Sequence, residues 1–304
     1  MIDRQLWPYQ LRLRVPFRGL TERRGCLIEG SHGWGEFAPF DDYDVDADAR
    51  WLACALEQAD RGWPRAVREQ VQVNAIIPAV PPAQAAAMAL ASGCRTIKIK
   101  VGDPDGVARV AAVREALPDA ALRVDVNGAW SIEQAARALA ELSAFTLEYA
   151  EQPVRTLEQM RRLRELVDVP LAADEVLRID RRFDEVRDAA DVAILKVAPL
   201  GGVRATLAAA ERVGLPVVIS SALDSSLGLA AGLAAACALP VAPLACGLGT
   251  GALFGRDTTE PLLPRQGALG PPNYPQPDPA LPVAESDRDH WHSRIRAASD
   301  RLAV

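Results

Sequence analysis

Lys98, Lys100 and Lys196 are the three lysines of a chain whose 34 basic residues are otherwise all arginine. A coding background this biased places arginine wherever a generic surface cation will serve. Lysine is kept where arginine fails, and proton transfer is the clearest such task. A guanidinium stays protonated in proteins, whereas an ammonium can be tuned to lose its proton. Lys98 and Lys100 stand two residues apart, so in a strand both amines share one face. Each cation raises the cost of protonating the other, which brings one of them toward the range of a general base.

Acids follow at a regular pace. From Lys100 the next polar strand ends are Asp125, Glu151, Asp174, Lys196 and Ser220, at intervals of 25, 26, 23, 22 and 24 residues. Each interval is about one strand-plus-helix unit, so consecutive strands would deliver one polar group each to a common mouth. Three carboxylates gathered there need a counter-cation. With hard oxygen donors and no His or Cys nearby, that cation is expected to be Mg²⁺, with Mn²⁺ as the other fit. A metal beside a lysine base points to removal of a proton next to a carboxylate. The charge of the resulting enediolate is the main barrier, and the cation and a second ammonium, Lys196, would stabilise it.

The elements that must position these groups are legible as well. Between about 71 and 250, short β-type runs alternate with Ala-rich helical stretches. The strands are expected at VQVNAII (71–77), TIKIKV (96–101), ALRVDVN (121–127), TLEYAE (146–151), PLAADE (170–175), VAILKV (192–197), PVVIS (216–220) and PVAPLA (240–245). Eight such units favour a closed parallel barrel. The first 70 residues differ: QLRLRVPFRG and GCLIEGSHGWGEF alternate like antiparallel strands with one wet face, and a helical segment, DADARWLACALEQAD, follows. The expected domains are an α+β unit over 1–71, a barrel over 72–253, and a Pro-rich tail over 254–304. The tail is expected to end in a charged helix and to pack on the first unit.

Composition narrows the function. A net charge of −6 without a basic cluster argues against nucleic acid. No apolar run is long enough to span a bilayer, and MIDRQLWPYQ carries no secretory core, so a cytoplasmic protein is expected. Five scattered cysteines read as reduced, packed thiols. His290-Trp291-His292 has the look of a chelating pair but falls in the tail, where a surface position is expected.

Taken together, Lys98-Ile-Lys100, Asp125-Val-Asn127, Glu151-Gln-Pro153, Ala-Asp174-Glu175 and Leu-Lys196-Val resemble the enolase superfamily, within it the muconate-lactonizing subgroup. GWGEFAPF (33–40) is similar to a segment of that superfamily's capping domain. The resemblance implies a modified TIM barrel, (β/α)7β, with an α+β capping domain formed by both termini. It also implies a metal on Asp125, Glu151 and Asp174. A racemase-type site with a His base on the seventh strand is disfavoured, because that strand ends in Ser220-Ser221. The segment ISSALDSSLGL (219–229) and the Gly247-Leu248-Gly249-Thr250 turn look like the dehydrating branch that serves menaquinone biosynthesis. The resemblance makes Lys100 the base and then the acid, has Lys98 tune it, and has Lys196 hold the enediolate. Ser220 and Gly247 would hold the substrate tail and Asn127 would stand beside the metal. Arg123 shares the face of Asp125, and Arg18, in the short loop that should close over the site, would meet a substrate carboxylate. Related members use the same residues to racemise N-acylamino acids or epimerise dipeptides. A barrel that binds a small acid without turning it over is the remote alternative, and the retained lysines argue against it.

Overall fold

The computed structural model describes residues 4–302. Strands β1 (Leu6–Phe17), β2 (Leu20–Glu29) and β3 (Trp34–Phe37) form an antiparallel sheet, followed by helix α1 (Val45–Leu56). The β1–β2 hairpin turns tightly at Arg18 and Gly19, both left-handed, at φ 52° and 77°. Strand β4 (Val71–Gln72) then leads directly into β5 (Asn74–Ile77).

A regular alternation comes next: α2 (Pro82–Ser92), β6 (Thr96–Lys100), α3 (Gly106–Ala116), β7 (Ala121–Asp125), α4 (Ile132–Leu142), β8 (Leu147–Glu151) and α5 (Leu157–Arg164). It continues with β9 (Leu171–Ala173), α6 (Glu175–Arg178), β10 (Val192–Lys196), α7 (Val197–Leu200), α8 (Val203–Val213), β11 (Val217–Ser220) and α9 (Ser226–Ala238). Helix signals agree with these bounds. Ser131 with Gln134 and Thr156 with Gln159 form capping boxes, Pro82 opens α2, and a left-handed Gly93 ends it.

Strands β5 to β11 make one parallel sheet in sequential order. Its two edges meet through residues 244–247. Leu244 and Gly247 donate to Val217 and Ile219 on one side, and Cys246 donates to Gln72 and accepts from Asn74 on the other. The barrel is therefore closed, but its last element is not the extended run expected at 240–245. Pro240 and Pro243 cannot donate to a ladder, so only the segment after Pro243 pairs. The barrel's core fills the space between strands and helices with Val, Leu, Ile and Ala, Ile97, Ile99, Leu122 and Val124 among them.

A second core joins the N-terminal sheet and α1 to the chain's last helix, α10 (Arg288–Leu302), which follows the short strand β12 (Ala268–Leu269). Trp51 and Trp291 are fully buried there, and Arg294 of α10 pairs with both oxygens of Asp48, at 2.5 and 2.8 Å. Ala222 and Leu223, from the connection that follows β11, and Leu227 of α9 belong to this same core. No helix among the described residues is long and apolar enough to cross a membrane.

Candidate active site

Parallel register sets the site. Lys100 pairs with Asp125 and Asp125 with Glu151, so three reactive groups lie side by side on β6, β7 and β8. Lys196 pairs with Ser220 on β10 and β11. Asp174 falls one residue beyond β9, at the start of α6. One small cavity is lined by Lys98, Lys100, Asp125, Asn127, Lys196 and Ser220, with Phe17 and Arg18 over it. The C-terminal strand ends thus bring Lys98, Lys100, Asp125, Lys196 and Ser220 to one cavity, while Glu151 and Asp174 lie against Lys98 and Lys196.

Each lysine faces an acid. Lys98 Nζ donates to both oxygens of Glu151, at 3.0 and 2.8 Å. Lys100 Nζ lies 2.6 Å from Asp125 Oδ2 and also donates to Asn127 Oδ1. Lys196 donates to Asp174 Oδ2. Among the described residues no three acidic, His or Cys side chains are gathered around one point suited to a metal. The carboxylates are turned onto ammonium groups instead.

The donor set nonetheless fits a divalent cation. Burial and then the charges of Asp125 and Asp174 raise Glu151 to about 7, even with Lys98 against it. Those three acids therefore stand close enough to repel. Asp174 Oδ1 is buried and accepts no hydrogen bond; the Arg178 guanidinium lies 3.4 Å away but is misaligned, and its Nε is equally unpartnered. A buried carboxylate oxygen without a donor is what a cation would satisfy. Gln152 orients Asp174 from behind: its Oε1 accepts from the Asp174 amide at 3.0 Å.

The two neighbouring lysines differ in electrostatics. Burial acts to lower Lys98, but Glu151 and Asp125 outweigh it and hold its proton firmly. Burial also lowers Lys100, and Asp125 opposes this while Lys98 and Arg18 add to it, leaving the amine below its ordinary value. The Lys98–Lys100 pair thus has one fixed cation and one amine eased toward deprotonation. Burial opposes ionisation of Asp125 as well, yet Lys100 and Lys98 hold it well below the usual carboxylate range.

Not every expected substrate contact is in place. Arg123 is fully buried one layer deeper, inside the barrel, where it pairs with Glu148 at 2.5 Å, Asn74 Oδ1 at 3.0 Å and the carbonyl of Ala245. It lies over the Tyr149 ring and does not line the cavity. Sharing the face of Asp125 places it below the mouth, because successive inward residues of a barrel strand occupy successive layers. Gly247 bridges Ser220, and a Cβ there would meet Ser220 Oγ at 2.4 Å, so glycine lets the closing segment approach. Asn127 holds its place, left-handed at φ 53°, donating to Glu175 Oε1 at 3.2 Å. His290 and His292 are exposed on α10.

Ile76, Ser221, Leu223 and Thr250 also line the cavity and were not foreseen. Ser221 neighbours an expected residue, but apolar Ile76 and Leu223 give no signal of their own. Glu175 and Arg178 of α6 form a further polar layer, with Arg178 donating to Tyr43 of the N-terminal unit at 2.6 Å. The cavity holds only about 20 Å³, barely a water molecule, whereas the space outside Arg18 measures about 630 Å³. Arg18 lines both.

Comparison with known proteins follows the same lines. Residues 82–275 match the family described as enolase C-terminal domain-like, and residues 9–59 match enolase N-terminal domain-like. The chain belongs to the enolase superfamily. Superfamily relatives at high identity include the o-succinylbenzoate synthase of Thermobifida fusca, 48% identical over 299 residues, covering 95% of this chain and 94% of that protein. The o-succinylbenzoate synthase of Mycobacterium ulcerans is 48% identical over 310 residues, covering 98% and 94%. Muconate lactonizing enzyme from Pseudomonas fluorescens shares the fold at TM-score 0.78 and 23% identity, over 95% of this chain and 98% of that one. The L-Ala-D/L-Glu epimerase of Bacillus subtilis does so at 0.77 and 21%, over 93% and 98%. As a superfamily member the chain is a divalent-metal enzyme acting on a small molecule.

Proposed function

We propose that the chain carries out the o-succinylbenzoate synthase reaction: syn-dehydration of 2-succinyl-6-hydroxy-2,4-cyclohexadiene-1-carboxylate to 2-succinylbenzoate. It is a lyase of menaquinone biosynthesis, as its 46–48% identical relatives are o-succinylbenzoate synthases. The observation that carries the reading is that near-full-length identity together with Lys98, Lys100 and Lys196 around one cavity with Asp125.

Asp125, Glu151 and Asp174 would hold the metal, Mg²⁺ or Mn²⁺, both of which suit an all-oxygen set. A cation held there supplies positive charge where the substrate carboxylate becomes an enediolate. The neutral amine of Lys100 takes the proton from the carbon bearing that carboxylate. The Lys100 ammonium then returns it to the departing hydroxyl on the same face, which leaves as water while the ring becomes aromatic. Lys98, fixed as a cation, keeps the Lys100 amine available. Lys196, on β10 across the cavity, presents a second ammonium to the enediolate. Ser220 and the Gly247 backbone would meet the succinyl tail, Asn127 would steady Lys100, and Arg18 would close over the substrate. Five buried free cysteines accord with a reducing cytoplasm.

A second reading has specific support: Lys100 and Lys196 line one cavity from β6 and β10, an arrangement that also serves two-base racemisation or epimerisation. One experiment separates them. Purified protein with Mg²⁺ is given the cyclohexadiene carboxylate and, separately, N-acylamino acids and dipeptides in D2O. The proposal expects rapid aromatic product, lost in Lys100→Ala. Absence of that product, or α-deuteration of amino-acid substrates at a higher kcat/KM, overturns it.

A further inference from the structure

One wall of the catalytic cavity, beside Lys196, is a loop that the barrel does not hold by itself. Residues 221–225 connect β11 to α9, and Ser221 and Leu223 face the cavity. Leu223 is left-handed, with φ 65°. A bulky residue without the freedom of glycine persists there only when its surroundings over-determine it.

Those surroundings come from the N-terminal unit. Arg23 of β2 is buried, and its Nε donates to the Leu223 carbonyl at 3.1 Å. The same guanidinium donates to the Ala38 carbonyl and lies over the Phe40 ring, 4.4 Å from its centre. Glu36 of β3, also buried, grips the other side of the strained residue. Its Oε1 accepts from the Ser225 amide at 3.1 Å and from the Tyr9 hydroxyl at 3.0 Å. Its Oε2 accepts from the Gly228 amide at 3.0 Å and from the Ser225 hydroxyl. One carboxylate thus takes up two amides at the start of α9, where helix donors would otherwise be unpaired. The space is tight: a Cβ on Gly228 would meet Glu36 Cδ at 2.8 Å. Within the loop, Asp224 accepts from the Ala222 amide at 2.9 Å and the Ser221 hydroxyl at 3.0 Å, so a shift at Leu223 passes on to Ser221.

We infer that Arg23 and Glu36 are positioning residues: from the N-terminal unit they fix Leu223 and Ser221 in the cavity wall and thereby set substrate affinity. The inference rests on the reading that this cavity binds the substrate. Neither residue touches the reacting atoms, so their loss is felt in KM more than in kcat. Seating of the N-terminal unit on the barrel then becomes a requirement for shaping the pocket, beyond covering it.

The test uses the full chain with Mg²⁺ and two variants: Arg23→Met, which keeps the apolar stem, and Glu36→Gln, which keeps the shape. Hydrogen exchange of a peptide spanning 221–228 is followed beside one spanning β6 to β7, together with steady-state kinetics on the cyclohexadiene carboxylate. The expected result is about tenfold higher KM with kcat within about threefold, the size of one or two lost buried hydrogen bonds. Exchange at 221–228 should quicken while β6 to β7 stays protected. A merely stabilising role would instead quicken exchange throughout and lower kcat through the active fraction, and that result overturns the inference. So does a folded variant with unchanged KM and unchanged loop exchange. If Arg23→Met does not fold, Glu36→Gln decides by the same criteria. Exchange needs no turnover, so a wild-type protein inactive on this substrate would defeat the proposed function while the loop measurement still judged the clamp.

Discussion

Lys98 reaches past β7 to donate to both carboxylate oxygens of Glu151, at 3.0 and 2.8 Å. The pair joins the first and third of three adjacent strands, with Asp125 of the middle strand 3.5 Å from the same ammonium. One ammonium is therefore shared between two acids at the heart of the barrel mouth.

Replacing Lys98 by Met should leave Glu151 buried without its ammonium partner and Asp125 with Lys100 alone, at a stability cost of about 3 kcal/mol near pH 8 in metal-free buffer. The cost has a definite pH sign. Glu151 is raised to about 7 by burial and by Asp125. Its unfolded value is about 4.3. Between the two, the folded chain keeps a proton that the unfolded chain has shed, so stability falls as pH rises through that window. Losing Lys98 pushes the upper end of the window higher still. Urea denaturation at about pH 5.5 and about pH 8 should show a larger deficit at the higher pH, partly recovered by Mg²⁺. An equal deficit at both would mean that Lys98 contributes packing alone.

Lys100→Arg should fold normally and lose about 10³-fold or more in kcat, because a guanidinium cannot give up its proton to become a base. Burial holds the Lys100 amine below its ordinary value, although Asp125 works against this. The neutral amine is the reactive form, so kcat/KM should rise with pH along a limb centred below the ordinary lysine value of about 10.4. A substrate deuterated at the abstracted position checks whether that limb reports the proton transfer itself. A flat profile, or an active Lys100→Arg, would reassign the base.

Much of this site was readable in one sequence because a barrel converts spacing into place. Lys100, Asp125 and Glu151 differ by about one strand-plus-helix unit, and parallel register then sets them side by side. The same logic misplaced Arg123, since residue parity gives the face of a strand but not the depth within a barrel. Ile76 and Leu223 were missed because an apolar residue looks the same whether it lines a core or a cavity. The eighth strand starts later than its apolar run suggests, because prolines at 240 and 243 cannot donate to a ladder and pairing begins only at Leu244. The grip of Arg23 and Glu36 on the loop after β11 spans 200 and 189 residues of sequence, and no local pattern carries such a contact.

Removing the metal should abolish activity while leaving the fold nearly intact. Lys98, Lys100 and Lys196 already pair with Glu151, Asp125 and Asp174, so the acids are not left bare when the cation departs. Metal at about 100 times its Kd adds about 2.7 kcal/mol, which for a chain of this length is about 4 °C in Tm. Calorimetry with EDTA and after Mg²⁺ is restored should show that modest, reversible shift. Cooperative unfolding on chelation would show instead that the ammonium groups do not substitute for the cation.

Arg18 stands between the outer space and the catalytic cavity, and its backbone makes it a poised position. It is left-handed at φ 52° and followed by Gly19 at φ 77°, so the turn between β1 and β2 is tight and strained at the residue that lines both spaces. Its guanidinium lies 3.5 Å from Glu175 and 5.6 Å from the centre of the Phe40 ring. A cavity of about 20 Å³ cannot admit a ring with a succinyl arm, so Arg18 and its turn must move for substrate to enter. An incoming carboxylate can replace Glu175 as its partner, which couples entry to closure. Arg18→Ala should therefore raise KM about tenfold or more, the cost of a lost charge-assisted contact, and lower kcat less. Arg18→Lys should recover only part of the loss, since a single ammonium lacks the planar fork. Steady-state kinetics of both variants decide it: an unchanged KM in Arg18→Ala would remove Arg18 from the substrate's path.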